Sequence, residues 1–550
     1  MKIESKHLGA VVALAVCVIT FFAHNEVITP DIMESRNIIT AREMVHDGNW
    51  LIPTMNGELR LEKPPLPTWI AAVAEIVAPD NISVQRGAAG LAALLLALYF
   101  WLFARRILRI EPIIPLLLLC TCYNVILMGR TASWDIYCHA FMMAGIYHLA
   151  QALEERRCHW GHFIAAGVYT GLSIMSKGPV SPYALFLPFL ISYILFFRPR
   201  SRGKGLAIAV MVIVALAIGS WWYVYVHTCV PDAISAVVQK ETGSWVNHNV
   251  RPWWYYWKFF LETGVWSLLL LTAIFLPMTD RQRRSDWRWL FPMGWMLLSL
   301  ILLSLMPEKK SRYLLPLLIP ASYVMASLIV WWNKWLRPSV WKRVDRWCFG
   351  INAGLIALVV LALPAVAWIA LYRPGYISMP YWIAFSAVAL VIAIYLIASV
   401  VQMRPMWLLW GVALLFLATE CFFMPCLTSV INNPEMKSVK LTRDIEELRD
   451  IPFYHDSSQT LRIELVYAAG RKIRPLDITD TAAVAASMPC ALLTHNRVGE
   501  TLPDDVMALC DTTYIGLFDD NRRPRGNRRY SGSFIYHITL LTPKETPPGQ

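Results

Sequence analysis

Uninterrupted apolar runs of about 20 residues recur along this chain, and that feature limits its fold more than any other. In hydrocarbon every backbone N–H and C=O must find its partner within the protein, so only helices and closed barrels can span. The runs are continuous rather than alternating, so they read as helices. Composition agrees: 57% of residues are hydrophobic and 16% charged, with mean hydropathy +0.46. Run length gives about 13 spans. They fall near 8–24, 84–104, 112–128, 136–153, 160–176, 179–197, 205–227, 256–277, 288–305, 313–333, 348–371, 381–401 and 405–424. Met1–Ala23 starts basic, as a secretory signal does, but has no small-residue cleavage pattern before His24, so it reads as the first span.

The formal charge of +12 does not point to nucleic acid, because the cations form short clusters between apolar runs. Lys2 and Lys6 precede the first span. Alternate loops then carry Arg105, Arg106 and Arg109; Arg156 and Arg157; Arg198, Arg200, Arg202 and Lys204; Arg281, Arg283 and Arg284; and Lys334, Arg337, Lys342, Arg343 and Arg346. The positive-inside rule puts all of them, and the N-terminus, in the cytoplasm of an inner-membrane protein. An odd span count then leaves the C-terminus outside. The expected organisation is a membrane domain over 1–428, with a long first outer loop at 25–83, and a soluble periplasmic domain over 429–550. There Leu461–Tyr467, Ala491–His495 and Ser533–Leu541 read as strands and Lys440–Leu448 as a helix, giving a small α/β domain. The 11 cysteines include no CxxC pair. Cys490 and Cys510 either pair in the oxidising periplasm or remain buried thiols.

The outer loops carry more charge than a scaffold needs. In the first, Thr29 reads as a helix N-cap with Pro30 in the first turn, which sets Asp31 and Glu34 on one face. The stretch Glu34–Val45 mixes apolar residues with Arg36, Arg42 and Glu43, as a helix lying in the membrane interface does. A solvated, charge-balanced helix is the plain alternative. Glu62 and Lys63 follow in a stiff Pro-rich segment. In the second loop Arg130 precedes Asp135, a carboxylate opening a span, where function and helix capping compete. Lys177, and later Lys309, Lys310 and Arg312 beside Tyr313, stand against the sidedness rule. Phosphate is the natural partner for such cations, and snorkelling to headgroups the competing account. The fourth loop adds His248, Arg251 and an aromatic run fit for an interfacial belt.

Taken together these motifs resemble a known family. Glu34-Ser35-Arg36, Ala41-Arg42-Glu43-Met44, Leu61-Glu62-Lys63-Pro64, Arg130 with Asp135, Lys177-Gly178-Pro179, Arg251-Pro252-Trp253-Trp254 and Lys310-Ser311-Arg312-Tyr313-Leu314-Leu315-Pro316 are similar to motifs of the polytopic glycosyltransferases that use polyprenyl-phosphate sugars. These include the protein O-mannosyltransferases and, more closely, the bacterial transferases that add 4-amino-4-deoxy-L-arabinose to lipid A. The resemblance covers essentially the whole chain. The family's adjacent Asp-Glu pair is absent: Met33 takes the Asp place and Glu34 the Glu place, so Asp31 and Glu34 both stand as the first-loop carboxylate.

The resemblance implies a GT-C-type fold and an inverting transfer from undecaprenyl phosphate to lipid A or a related envelope glycolipid. Lys63, Arg130, Lys177, Lys309, Lys310 and Arg312 would hold the donor phosphate. Asp31, Glu34 or Asp135 would serve as general base if the acceptor is a hydroxyl. Arg36, Glu62, Arg251 and Tyr313 would bind substrate, and Glu62 with His248 could take a divalent metal ion. A protein acceptor is the rival within the enzyme class. A flippase for lipid-linked sugars is the rival outside it, and it wants polar residues inside the spans, which those between 84 and 227 mostly lack.

Overall fold

The computed structural model describes residues 2–199, 202–334, 341–431, 433 and 435–544; Arg200 and Arg337 lie outside these. The chain forms two compact units. One comprises Met1–Val27, Leu61–Ile70 and Ile82–Cys426; the other comprises Ile28–Arg60, Ala71–Asn81 and Leu427–Gln550.

The first unit is helical, and every apolar run identified above forms helix. Among the described residues, 8 helices are long and apolar enough to cross a membrane, including Ile82–Leu108, Gly205–Cys229 and Ser311–Lys334. Trp134–Glu154 and Trp160–Lys177 carry more polar side chains and pack closely on each other. Two expected spans are interrupted. The run at 112–128 forms two helices, Ile113–Cys120 and Tyr123–Gly129, and Trp266 donates its indole N–H to Thr121 Oγ1 (2.7 Å) at the break. The run at 256–277 kinks at Gly264, whose φ of 65° only glycine adopts readily and where a Cβ would stand 3.1 Å from that of Tyr123. The core centres on Phe100, Phe103, Trp295 and Tyr323; Phe100 and Tyr323 stack at 4.0 Å, and the Tyr323 hydroxyl donates to the Phe100 carbonyl (2.7 Å).

Helix contact in this unit relies on small residues. A Cβ at Gly171 would lie 2.6 Å from Ile218 Cβ, and one at Gly167 would lie 2.6 Å from the Met211 carbonyl oxygen. Glycines four apart therefore let Trp160–Lys177 lie directly against Gly205–Cys229, as close-packed membrane helices require. On its other side Ser173 donates to the Cys138 carbonyl (2.7 Å). These contacts fix the end of the helix that carries Lys177.

The second unit holds a five-stranded sheet. Strands β1 (Thr54–Met55) and β2 (Glu58–Leu59) form a separate hairpin; β3 (Phe453–Asp456), β4 (Ile473–Leu476), β5 (Cys490–Thr494), β6 (Cys510–Asp519) and β7 (Ile535–Pro543) form the sheet in the order β4-β3-β5-β7-β6. β3 runs parallel to β4 and β5, and β7 antiparallel to β5 and β6. The segment Leu461–Tyr467 does not form the expected strand: it lies within the loop and helix ending at Ala469, where Leu465, Val466 and Ala469 bury one face and Gly470 closes the end at φ 74°. Likewise 440–448 forms short 3₁₀ turns rather than one helix. β7 separates β5 from β6, so two strand spacings of about 4.8 Å each part Cys490 from Cys510. Both are buried free thiols here, and burial pushes that of Cys490 up to about 11.

The helix Ile32–Asp47 also differs from expectation. Its N-cap is Asp31, not Thr29: Asp31 Oδ1 accepts from the amides of Met33 (2.9 Å) and Glu34 (2.8 Å), and Glu34 accepts from the Asp31 amide (3.3 Å). The helix does not present one apolar face outward; it is buried along most of its length, and Ile39 joins the core between the sheet and the helix Ile463–Ala469. Glu43 holds the β1–β2 turn through Thr54 Oγ1 (2.6 Å) and the amides of Asn56 (2.6 Å) and Gly57 (3.1 Å). Asn56 then exchanges two hydrogen bonds with the backbone of Ile473 (2.7 and 2.8 Å), covering the exposed edge of β4.

Candidate functional site

In the first unit Asp135 and Lys177 form a buried ion pair. Asp135 lies in the first turn of its helix, behind Ser133; its carboxylate is a partner to Lys177 rather than an N-cap acceptor. Lys177 ends its helix because Gly178 turns the chain at φ 69°, with the Tyr223 hydroxyl 3.1 Å from where a Cβ would stand. His139, one turn below Asp135, hydrogen-bonds Ser181 Oγ through Nδ1 (3.0 Å).

Cations gather round the ring of Tyr313. Lys177 Nζ lies 4.9 Å from its centroid, Lys310 Nζ 5.7 Å and Arg312 Cζ 5.7 Å. Arg312 also acts electrostatically on Asp135 and carries no ion pair among the described residues. Lys310 pairs with Glu308, and its backbone is held by the Tyr256 hydroxyl (3.0 and 3.2 Å). The cluster thus combines two committed ion pairs with one guanidinium, that of Arg312, outside them.

Other candidate residues have different surroundings. Arg130 is a brace: it pairs with Glu420 (2.9 Å) and donates to the carbonyls of Thr20 (2.7 Å), Ala23 and His24 (3.3 Å), fastening the end of the first helix. Lys309 is buried and donates to the carbonyls of Arg251 (3.2 Å) and Met306, and burial pulls its ammonium below the usual lysine range. Both were expected at a donor phosphate; here they donate to protein acceptors. Lys63 pairs with Glu241 (2.9 Å), while Glu62 faces Lys240 at 4.0 Å, so adjacent residues on two segments exchange charges. Glu241, Lys240, Glu308 and Glu420 were not singled out in the sequence, although opposite charges flanking the same loops were there to be matched. Arg251 and His248 are exposed. Among the described residues no group of three or more His, Cys, Asp or Glu side chains could hold a metal ion, and one oxygen of Glu62 is buried without a partner. Asp31, Glu34 and Arg36 belong to the second unit, where Asp31 and Glu34 cap each other.

Many apolar helices, a buried acid–base pair with cations at one helix end, and a small α/β unit define a multi-pass inner-membrane protein of the GT-C type. Comparison with known proteins makes this more particular. Residues 62–223 match the family described as dolichyl-phosphate-mannose-protein mannosyltransferase. The chain is 26% identical over 381 residues to the undecaprenyl phosphate-alpha-4-amino-4-deoxy-L-arabinose arabinosyl transferase of Pseudomonas savastanoi pv. phaseolicola, covering 65% of this chain and 66% of that one. It is 27% identical over 396 residues to the transferase of the same name from Pectobacterium atrosepticum, covering 66% and 67%. The chain thus spans about two thirds of the length of these relatives. The crystal structure of ArnT from Cupriavidus metallidurans bound to undecaprenyl phosphate shares the fold, with a TM-score of 0.68 at 16% identity, covering 100% of this chain and 99% of that one. The resemblance to polyprenyl-phosphate-sugar glycosyltransferases read from the motifs is borne out.

Proposed function

We propose that this protein transfers a sugar from undecaprenyl phosphate to lipid A, or a related envelope glycolipid, on the periplasmic face of the inner membrane. The observation that carries the proposal is the buried Asp135–Lys177 pair with Tyr313, Lys310 and Arg312 around it. The relatives named for transfer of aminoarabinose from undecaprenyl phosphate support it.

In this reading an acceptor oxygen attacks the anomeric carbon from the face opposite the phosphate. The bond from that carbon to the phosphate oxygen breaks, its electron pair stays with the phosphate, and undecaprenyl phosphate departs. Lys177, Lys310 and Arg312 stabilise the negative charge that builds on the leaving phosphate, so no proton need be delivered there. Asp135 fixes the Lys177 ammonium in place and offsets its charge until the donor binds. A phosphate acceptor is already a nucleophile; a hydroxyl acceptor must lose its proton to a base, and Asp135 is the carboxylate beside the cations. Lys63, with Glu62 and Arg251, is a further donor contact in the same unit. These steps call on cations and carboxylates alone; a divalent metal ion at Glu62 and His248 stays a proposal that they do not use.

The family match over 62–223 favours a second reading, a protein acceptor. One experiment separates the two. The gene is deleted in its native host, lipid A is extracted, and its mass is compared with the parent and with strains complemented by wild type or by Asp135→Asn. Loss of one sugar mass, restored by wild type alone, is expected. Unchanged lipid A would sink the glycolipid acceptor and direct the search to envelope glycoproteins.

A further inference from the structure

The hairpin that joins β6 to β7 carries a charge that neither the motifs nor the transfer chemistry uses. From Asp519 to Tyr530 the chain holds five arginines (Arg522, Arg523, Arg525, Arg528 and Arg529) against two aspartates. Side-chain hydrogen bonds close its neck. Asn521 is buried and ties the two legs: its Nδ2 donates to Asp519 Oδ1 (2.8 Å) and the Ser531 carbonyl (2.9 Å), and its Oδ1 accepts from the Ser531 amide (2.9 Å). The Tyr530 hydroxyl donates to Asp519 Oδ2 (2.7 Å). Asp520 accepts from Ser438 and from the Val439 amide (3.0 Å). At the tip the Asn527 amide donates to the Pro524 carbonyl (3.2 Å) around Gly526, whose φ of 89° suits glycine. Asn527 Oδ1 then accepts from the Arg529 amide (3.0 Å).

Both aspartates are thus committed to the fold, and the tip keeps its charge. Arg523, Arg525, Arg528 and Arg529 are exposed, and among the described residues none of them forms an ion pair. Guanidinium groups this close along the chain repel one another, so an anion from outside the protein is the natural counter-charge.

The neck is fastened beside a membrane span. Asn433 is buried and donates through Nδ2 to the carbonyls of Asn521 (3.1 Å) and Arg523 (3.4 Å). It stands just past Pro405–Ile431, a helix of 27 residues that is long and apolar enough to span. At 1.5 Å per residue this helix is roughly 40 Å long, the thickness of a bilayer with its headgroups, so Ile431 ends in the headgroup layer. Its last residues, Leu427–Ile431, belong to the second unit, so the placement is internal to that unit.

Location and chemistry select the partner. A guanidinium meets a phosphate with two parallel hydrogen bonds. Basic clusters next to a spanning helix are attracted by anionic headgroups, over a distance of about 10 Å at 0.1 M salt. Four arginines spread over consecutive turns address several phosphates rather than enclose one, which suits an array of headgroups. A nucleic acid offers the same phosphates, but the Asn433 tether holds this hairpin at a lipid surface.

We propose that the hairpin 520–530 docks on the anionic phospholipid headgroups of the adjoining bilayer and holds the second unit to that surface. This does not rest on the transferase reading. Full-length protein with its native cysteines replaced by serine or alanine carries a fluorescent label at Asn527→Cys. It is placed in nanodiscs of phosphatidylcholine alone, or of equal parts phosphatidylcholine and phosphatidylglycerol, each with a trace of lipid bearing a spin-labelled headgroup as quencher. Quenching should be stronger with phosphatidylglycerol, and the increase should vanish in about 1 M salt, where screening acts within about 3 Å. The triple variant Arg523→Gln, Arg528→Gln, Arg529→Gln should lose the increase at an unchanged melting temperature, while the same three changed to lysine should keep it. The pair Arg528→Gln, Arg529→Gln serves if the triple does not fold. Lipid A in place of phosphatidylglycerol should also raise quenching. Equal quenching in the two nanodiscs, or an increase that survives in the folded glutamine variants, would overturn the proposal. So would a response confined to lipid A, which would give the arginines to a glycolipid acceptor, or reversal by a single-stranded oligonucleotide at constant ionic strength, which would give them to nucleic acid.

Discussion

Removing one half of the Asp135–Lys177 pair strands the other half's charge inside the protein. Breaking a buried pair from one side costs about 3–5 kcal/mol, whereas removing both charges is often neutral or better. Asp135→Asn and Lys177→Met should therefore each lower the melting temperature in detergent, and the double variant should recover most of it. Transfer should stay lost in all three, because Lys177 is needed at the phosphate; recovery of activity in the double variant would remove Lys177 from the mechanism. In the second unit, burial holds the His455 imidazole below its ordinary range, with Nδ1 2.8 Å from the Asp456 carbonyl. A lowered folded value means that the unfolded chain binds the proton more readily, so this contribution is full above about pH 6.5 and shrinks as pH falls. Hydrogen exchange across β3 should speed up from pH 7.5 to pH 5 after correction for intrinsic rates, and His455→Gln should flatten that dependence. Asp135 and Lys177 were legible as single residues because charge at membrane depth is costly. Their pairing was not, since 42 residues separate them and only tertiary packing joins them. Arg130 looked equally available, but its acceptors include backbone carbonyls, which a sequence does not mark.

Elements place these residues. The Gly167 and Gly171 face sets the distance between Trp160–Lys177 and Gly205–Cys229. Gly171→Leu puts a branched side chain against Ile218, an overpacking that costs about 1–3 kcal/mol and pushes the Lys177 end away from Asp135. Reduced thermal stability together with reduced transfer is expected; loss of stability with normal transfer would uncouple the helix contact from the site. In the second unit Asn56→Ala should expose the β4 edge, and faster hydrogen exchange at Ile473 is the measure. Helix existence in the membrane unit was readable because a spanning run of about 20 residues leaves the backbone no other choice. The breaks at Thr121 and Gly264 were not, because each is stabilised by a distant side chain. The strand reading of Leu461–Tyr467 failed for a related reason: its β-branched and aromatic residues fit either structure, and packing of Leu465, Val466 and Ala469 against the sheet decided for helix. Asn56-Gly57 was a readable hairpin signal that went unused.

At the scale of the whole molecule, the charge pattern predicts one orientation. By the positive-inside rule the cations of the segment Arg281–Arg284 and of the region beyond Lys334 are expected in the cytoplasm; Arg283 is bound to Asp345 at 2.5 and 2.8 Å. Lys309, Lys310 and Arg312 oppose the rule on the other side, yet two of the three are tied to protein acceptors there. Their charge is therefore read as local to the site, and the predicted orientation rests on the other clusters. Single cysteines test this directly in a background with the native cysteines replaced by serine or alanine. A membrane-impermeant maleimide should label Asn249→Cys in intact spheroplasts, since Asn249 is exposed on the same loop as His248 and Arg251. Ser285→Cys, at the end of the Arg281–Arg284 turn, should react only after permeabilisation. The reverse pattern would put Lys177 and Tyr313 on the cytoplasmic side, where a periplasmic lipid acceptor could not reach them, and the proposed reaction would have to be abandoned with the topology.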